Sequence, residues 1–381
     1  MDNIKYFDHA ATTAVNKEVL EAMLPYFTKE YGNASSMYSI SRRARKAVEE
    51  ARQKVAQAIN AKLNEIYFTS GGSESDNLAI KGIAYANRDK GNHIITCKIE
   101  HHAVLETCKT LEKEGFEVTY LDVDDKGFIH LDDLEKAIKP NTILITIMFA
   151  NNEIGTIEPI KGIGEIAKKH NIYFHTDCVQ AIGNVKIDVQ DMNIDSLSIS
   201  GHKLYGPKGI GVLYVKQGIE FQKIQNGGHQ ENNKRAGTEN VPGIVGIGKA
   251  IEIAYRDFEE NEKHLKELRD FFFNEIEKRI PDIKINGDRE KRLPGNCNVS
   301  FANIDAEELL MKLDEKGICA SAGSACSTGS TEISHVLKAI GLLEKTALGT
   351  LRITFGKENT IEDVEFLIKT IEEIVKMIRN K

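Results

Sequence analysis

The sequence predicts an α/β fold: a large domain around a mostly parallel sheet, followed by a smaller α+β domain at the C-terminal end. Two patterns predict it. Between residues 66 and 215, short apolar runs (66–68, 93–96, 118–121, 143–149, 172–175, 197–199 and 211–215) alternate with helical segments (74–86, 104–113, 131–138 and 160–169). Such alternation is what helices covering a sheet of parallel strands require. From residue 283 the order changes to short strands (298–301, 351–355) interleaved with helices (306–316, 333–340, 361–378). The length of 381 residues also exceeds one ordinary domain and suits a large one plus a smaller one.

The first residues, ending Phe7-Asp8-His9-Ala10-Ala11-Thr12-Thr13, read as extended with a capping Thr, and an amphipathic helix is expected over 17–27. Residues 41–59 place Val48, Val55 and Ile59 on one helical face with charges opposite. The stretch 243–279, with Glu and Lys throughout, is expected to be a long helix leading out of the large domain. Hydrophobic content of 41% with 28% charged residues describes a soluble globular chain. The net charge of −7 is mixed along the sequence without a basic block, which argues against stable nucleic-acid binding. The N-terminus lacks a basic-then-apolar signal pattern, and the longest apolar run, 143–150, is too short to cross a membrane. The six cysteines, Cys97, Cys108, Cys178, Cys297, Cys319 and Cys326, form no Cys-x-x-Cys pair and suit neither zinc nor a disulfide scaffold. A cytoplasmic location follows as the expectation, with most thiols acting as small buried hydrophobes.

Chemistry concentrates at the ends of the apolar runs. Run 197–199 delivers Ser200-Gly201-His202-Lys203, followed by Gly206-Pro207-Lys208-Gly209. A lysine becomes a nucleophile only where its surroundings depress its pKa. The run 172–175 delivers Asp177, with Gln180 three residues on. A lysine at one strand end and an aspartate at another match pyridoxal phosphate (PLP), which needs an amine for its aldehyde and a carboxylate for its pyridinium nitrogen. A surface lysine in a glycine loop is the other reading of Lys203 alone.

Other segments carry paired readings. Thr69-Ser70-Gly71-Gly72-Ser73-Glu74 opens a helix after a strand, so it is either an anion site or an ordinary cap. Glu100-His101-His102 is either a solvated loop or a ring-stacking, proton-carrying group. Asn151-Asn152-Glu153 follows a buried run, as a turn or as a ligand contact. The aperiodic loop around Arg235 and Thr238 could bring both residues to an anion. In Leu351-Arg352-Ile353-Thr354, strand alternation puts Arg352 and Thr354 on one face, and an inward Arg suits capture of a carboxylate. Cys326 lies among Gly, Ala, Ser and Thr, which cannot anchor a core; that composition suits a mobile nucleophile, the alternative being an inert exposed thiol. A helix cap is expected at Ser330 or Thr331, with Gly341 as the stop.

In order along nearly the whole chain, Gly-Gly-Ser-Glu-Ser-Asp-Asn, Glu-His-His-Ala-Val-Leu, Asn-Asn-Glu-Ile-Gly, Ser-Gly-His-Lys203, Arg-Ala-Gly-Thr-Glu-Asn and Gly-Ser-Ala-Cys326 resemble the NifS/IscS-type cysteine desulfurases. The resemblance implies a fold type I PLP-dependent transferase of the class V aminotransferase family. Its large domain, with a mostly parallel seven-stranded sheet, would span 16–258; the small domain would comprise 1–15 and 259–381, with a mobile cysteine loop at about 321–332. It implies that Lys203 binds the cofactor and moves the Cα proton, that Asp177 meets the pyridine nitrogen, and that Gln180 and Asn152 contact the ring. His101 would stack on the ring as an acid/base. Gly72, Ser73, Ser200 and His202 would hold the phosphate, with Thr238 reaching from a second subunit of a homodimer. Arg352 and Asn33 would receive the L-cysteine carboxylate. Cys326 would take the sulfur as a persulfide for an acceptor such as an iron–sulfur scaffold or a tRNA-thiolation protein. No metal is implied. A selenocysteine lyase or an aminotransferase would share Lys203 and Asp177 without needing Cys326. Ala34, Tyr38, Ser41 and Ser73 depart from the usual family residues, and the first three bear on substrate entry or a dimer surface near Asn33.

Overall fold

The computed structural model describes residues 4–322 and 333–380. The chain enters as a two-residue strand, β1 (Lys5–Tyr6), and then builds one seven-stranded sheet. Its strands are β2 (Ile66–Thr69), β3 (His93–Cys97), β4 (Glu117–Leu121), β5 (Thr142–Thr146), β6 (Tyr173–Asp177), β7 (Ser196–Ser200) and β8 (Gly211–Val215). They lie in the order β2-β8-β7-β6-β5-β3-β4. Only β8 runs against its neighbours. Strands β2, β3, β5, β7 and β8 are buried along their whole length, as helices on both faces dictate, whereas β4 closes an edge and exposes Glu117.

Helices Gly72–Ala86, His102–Lys113, Leu131–Ala137 and Ile160–Lys169 follow the strands as the apolar periodicity predicts. Helix Ser39–Ala58 packs against Val241–Arg256 closely enough that a Cβ on Gly248 would lie 2.6 Å from Ala51 Cβ. Two expected helices are divided. The segment 17–27 becomes Lys17–Met23 and Pro25–Thr28, because Pro25 starts a new helix. The stretch 243–279 breaks at Asp257 into Val241–Arg256 and Phe258–Arg279. Asp257 leaves the helical region and pairs with Arg256 (2.7 Å); its residue type fits a continuous charged helix equally well.

The remaining strands are β9 (Ile283–Ile285), β10 (Asn296–Phe301), β11 (Ile318–Cys319) and β12 (Thr350–Thr354). Strands β12, β10 and β9 form an antiparallel sheet, and β11 pairs with β1 in parallel. A hydrophobic cluster separate from those on the large sheet joins Phe7 to Phe272, Val299, Leu351, Ile353 and Leu367. The opposite, polar face of the small sheet reaches the large one. Asn296 and Asn298 donate to the Glu153 carbonyl (3.2 Å each), and buried Arg292 donates to the Ile154 carbonyl (2.9 Å). The expected helix at 333–340 is His335–Ala339, and its N-cap is the Ser334 hydroxyl; the residues first expected to cap it, Ser330 and Thr331, lie outside the described residues. Gly341 (φ 74°) does stop that helix. Among the described residues no helix is long and apolar enough to cross a membrane.

Candidate active site

The parallel strands and β2 end on the same side of the sheet, and a cavity of about 220 Å³ opens there. It is lined by Gly72, Ser73, His101, Asn152, Asp177, Gln180, Ser200, His202, Lys203 and Arg352, together with Ala10, Ala11 and Asp76. Asn33 and Thr238 do not line it. Both are exposed, on segments joined by a contact from the Ser35 hydroxyl to Glu239 (3.3 Å), and Asn33 caps the Ser35 amide (2.9 Å). Cys326 lies outside the described residues.

Lys203 leaves β7 through a short 3₁₀ turn, and its Nζ donates to the carbonyls of Ala10 (2.5 Å) and Ala11 (2.8 Å). Gln180 Nε2 donates to the same Ala10 carbonyl (3.0 Å). Thus the N-terminal segment supplies the floor against which the amine is held. Asp177, at the end of β6, accepts from the Val179 amide (2.8 Å). Burial raises its carboxyl above the usual range, opposed by His101, that amide and Lys203.

His101 caps the helix after β3: its Nδ1 accepts from the Ala103 amide (3.1 Å), which leaves the proton of the neutral ring on Nε2. Burial holds its pKa below the ordinary 6.5, and Lys203 and the neighbouring histidines lower it further against the pull of Asp177. His202 bonds Thr12 through Nδ1 (3.1 Å), and burial with Lys203 and Lys208 nearby brings it down to about 4. A neutral His202 at pH 7 would meet an anion as a hydrogen-bond donor rather than as a cation.

The helix N-terminus at Gly72 has the geometry to cradle an anion. A Cβ on Gly72 would lie 2.6 Å from Val179 and 3.5 Å from Ser200, so only glycine leaves that approach open. The acidic Glu74 beside it is neutralised by Arg235, whose Nε and Nη2 donate to the carboxylate (2.8 and 3.3 Å). The expectation that Arg235 meets a ligand anion is therefore corrected: it braces the cradle from behind.

Arg352 is 1% exposed and reaches Asp8 through Nη2 (2.7 Å), while its Nε has no hydrogen-bond partner among the described residues. A buried guanidinium on the cavity wall with an unpartnered donor suits capture of a carboxylate. Asn152 contacts Arg352 through its backbone carbonyl (3.4 Å), and the buried Asn151 builds the turn, with its carbonyl oxygen accepting from the amides of Glu153 (2.9 Å) and Ile154 (3.0 Å).

Asp8, Asp76 and the Ala10 and Ala11 carbonyls are not singled out by the sequence, whereas Asn151 takes the turn role that its segment offers. Asp76 had a signal, being four residues beyond Gly72 on one helical face. Asp8 had none, since its partner is 344 residues away.

The amine, the buried carboxylate and the glycine cradle fit PLP, and they define a PLP-dependent α/β enzyme of fold type I. The chain belongs to the aminotransferase class-V family, whose model matches residues 5–367. It is 57% identical over 381 residues, covering 100% of this chain and 96% of the relative, to "Cysteine desulfurase IscS" of Clostridium botulinum. A solved "NifS-like protein" superposes with TM-score 0.93 at 39% identity, over 98% of this chain and 100% of that one. A structure described as "SspA in complex with cysteine" gives TM-score 0.83 at 43% identity, over 92% and 98%.

Proposed function

We infer that the cavity desulfurates L-cysteine. The chain is a PLP-dependent cysteine desulfurase that yields L-alanine and passes on sulfur; its relatives bear that name rather than those of selenocysteine lyases or aminotransferases. The observation that carries this reading is that a lysine, a buried aspartate and a buried arginine line one cavity.

Lys203 would hold the cofactor aldehyde carbon, Asp177 its ring nitrogen, and Gly72, Ser73, Ser200 and His202 its phosphate. His101, Asn152 and Gln180 would contact its ring. Bound, it supplies an electron sink for the carbanion at the substrate Cα. The Lys203 amine would take the Cα proton, with the Ala10 and Ala11 carbonyls steadying its ammonium form. His101, neutral with the proton on Nε2, exchanges protons with the substrate. Arg352 orients the substrate carboxylate. The Cys326 thiolate attacks the substrate sulfur: an S–S bond forms, the C–S bond breaks, and its electron pair stays on Cβ, which is protonated to give alanine. Cysteine and thiol thus become alanine and persulfide without an outside oxidant.

Two outcomes follow. Arg352→Lys keeps a cation for Asp8 but loses the planar fork, so KM for cysteine is expected to rise about tenfold with the visible cofactor band unchanged. Steady-state alanine release checks it. For the proton role, the neutral form of His101 is the active one and its pKa is lowered. The acid limb of kcat/KM is therefore expected below pH 6.5, activity falling as pH falls through it. His101→Gln should remove that limb and lower the rate about 10²-fold.

The working assembly is a homodimer. Thr238 and Asn33 sit on exposed segments, and the apolar side chains of Tyr31, Met37, Tyr38 and Leu63 are 70%, 88%, 59% and 46% exposed there. An open groove of about 600 Å³, lined by Ala34, Leu63 and Glu231, adjoins them. In a second copy Thr238 would complete the phosphate site. Sedimentation at micromolar concentration tests this, a monomer contradicting it. The cofactor-bearing unit is taken as 16–258, and 1–15 with 259–381 as the unit bearing Cys326; the separate cluster around Phe7 and Phe272 supports that division. The sulfur acceptor is an iron–sulfur scaffold or a tRNA-thiolation protein. A reducing cytoplasm suits the five free cysteines among the described residues.

A further inference from the structure

Asp76 lies one turn into the helix Gly72–Ala86, on the wall of the cofactor cavity, and the functional reading above gives it no task. It is 1% exposed, and its Oδ1 has no hydrogen-bond partner among the described residues. One carboxylate oxygen of Asp76, one of Asp177 and a ring nitrogen of His101 all lie within 4.8 Å of one another. Among the described residues no Lys or Arg pairs with Asp76. The His175 ring is 3.8 Å from Oδ1, and both of its nitrogens are already engaged, Nδ1 with Thr146 (2.8 Å) and Nε2 with Ser198 (3.1 Å). Burial holds His175 neutral, at about 3. The Ser198 hydroxyl favours the Asp76 anion, while Glu100 and Asp177 add negative charge.

Two buried carboxyl groups this close do not both ionise; one proton is shared between them. The charges around the pair decide which keeps it. Asp177 has the Val179 amide, His101 and Lys203 to support an anion. Asp76 has burial and a like charge against it, and both push its carboxyl well above the ordinary range. We propose that Asp76 is a positioning residue: a neutral carboxylic acid that holds the proton of the Asp76–Asp177 pair and thereby fixes Asp177 as the single anion facing the cofactor ring nitrogen. This rests on the assignment of Asp177 to that nitrogen.

The test titrates apoprotein with pyridoxal phosphate, recording the dissociation constant and the position of the visible band across about pH 6 to 9. Asp76→Asn keeps the shape and the neutral state, so affinity is expected within about threefold and the band unmoved. Asp76→Ala removes the donor; affinity should fall about tenfold or more and the band's pH dependence should shift. Loss of affinity and band in Asp76→Asn would mean that Asp76 is needed as an anion, overturning the proposal. An Asp76→Ala protein that binds like the native one would reduce Asp76 to a space filler, with the same consequence. The Asp76→Asn arm decides between neutral acid and anion even where the alanine variant does not fold. Asp177→Asn separates the two readings: if it leaves affinity and band untouched, the Asp177 assignment itself fails; if it damages both, the result with Asp76 stands on its own.

Discussion

Lys203→Ala is expected to abolish alanine formation from cysteine, lowering the rate by about 10³-fold or more, because on the proposed reading one amine would serve as both cofactor anchor and proton carrier. No other described lysine lines the cavity. The loss should appear first in the spectrum, as removal of the covalently bound cofactor band. Lys203→Arg is the sharper variant. It keeps a cation for the Ala10 and Ala11 carbonyls, yet a guanidinium stays protonated and is not a nucleophile. It should fold, bind the phosphate in the Gly72 cradle, and remain inactive. Alanine release by Lys203→Arg at a rate near the native one would show that another amine does the chemistry.

Cys326→Ala is expected to leave the cofactor band and cysteine binding intact while removing the protein persulfide. Delivery of sulfur to an acceptor protein should fall about 10²-fold or more, since the nucleophile itself is gone. The separation of the two effects follows from where the flanking residues attach. On one side, Ser321 donates to Asp8 (2.6 Å), the partner of Arg352. On the other, Ser334 donates to Glu153 (2.6 Å) and His335 bonds the Glu100 carbonyl (2.9 Å). The described residues flanking Cys326 thus bond beside Arg352 and His101. Radiolabelled sulfur transfer to an acceptor, measured beside alanine release, separates the two steps.

Much of this site was legible because fold type I chemistry gathers at strand ends, and strand ends are what apolar runs mark. Asp177, Lys203, Asn152 and the Gly72 cradle all come from runs bounded by small polar residues. Arg352 was legible from alternation, since Leu351 and Ile353 enter the small core while Arg352 faces the cavity. Long-range partners were not legible. Asp8 with Arg352, and Arg235 with Glu74, are ion pairs between segments that sequence order keeps far apart. Arg235 was read as a ligand contact because a loop arginine near glycines has that look, and only three-dimensional proximity to Glu74 reveals its buttressing role. The break at Asp257 was hidden because the charged helical pattern continues through it. Asn33 and Thr238 are exposed and do not line the cavity of their own chain.

The most direct test is borohydride reduction of the purified protein followed by peptide mass spectrometry. The cofactor mass on the peptide containing Lys203, with loss of activity in proportion, is the result expected from an amine held on the Ala10 and Ala11 carbonyls in the cavity that Asp177 also lines. An adduct on a different lysine, with residue 203 unmodified and activity lost, would contradict the account at its root.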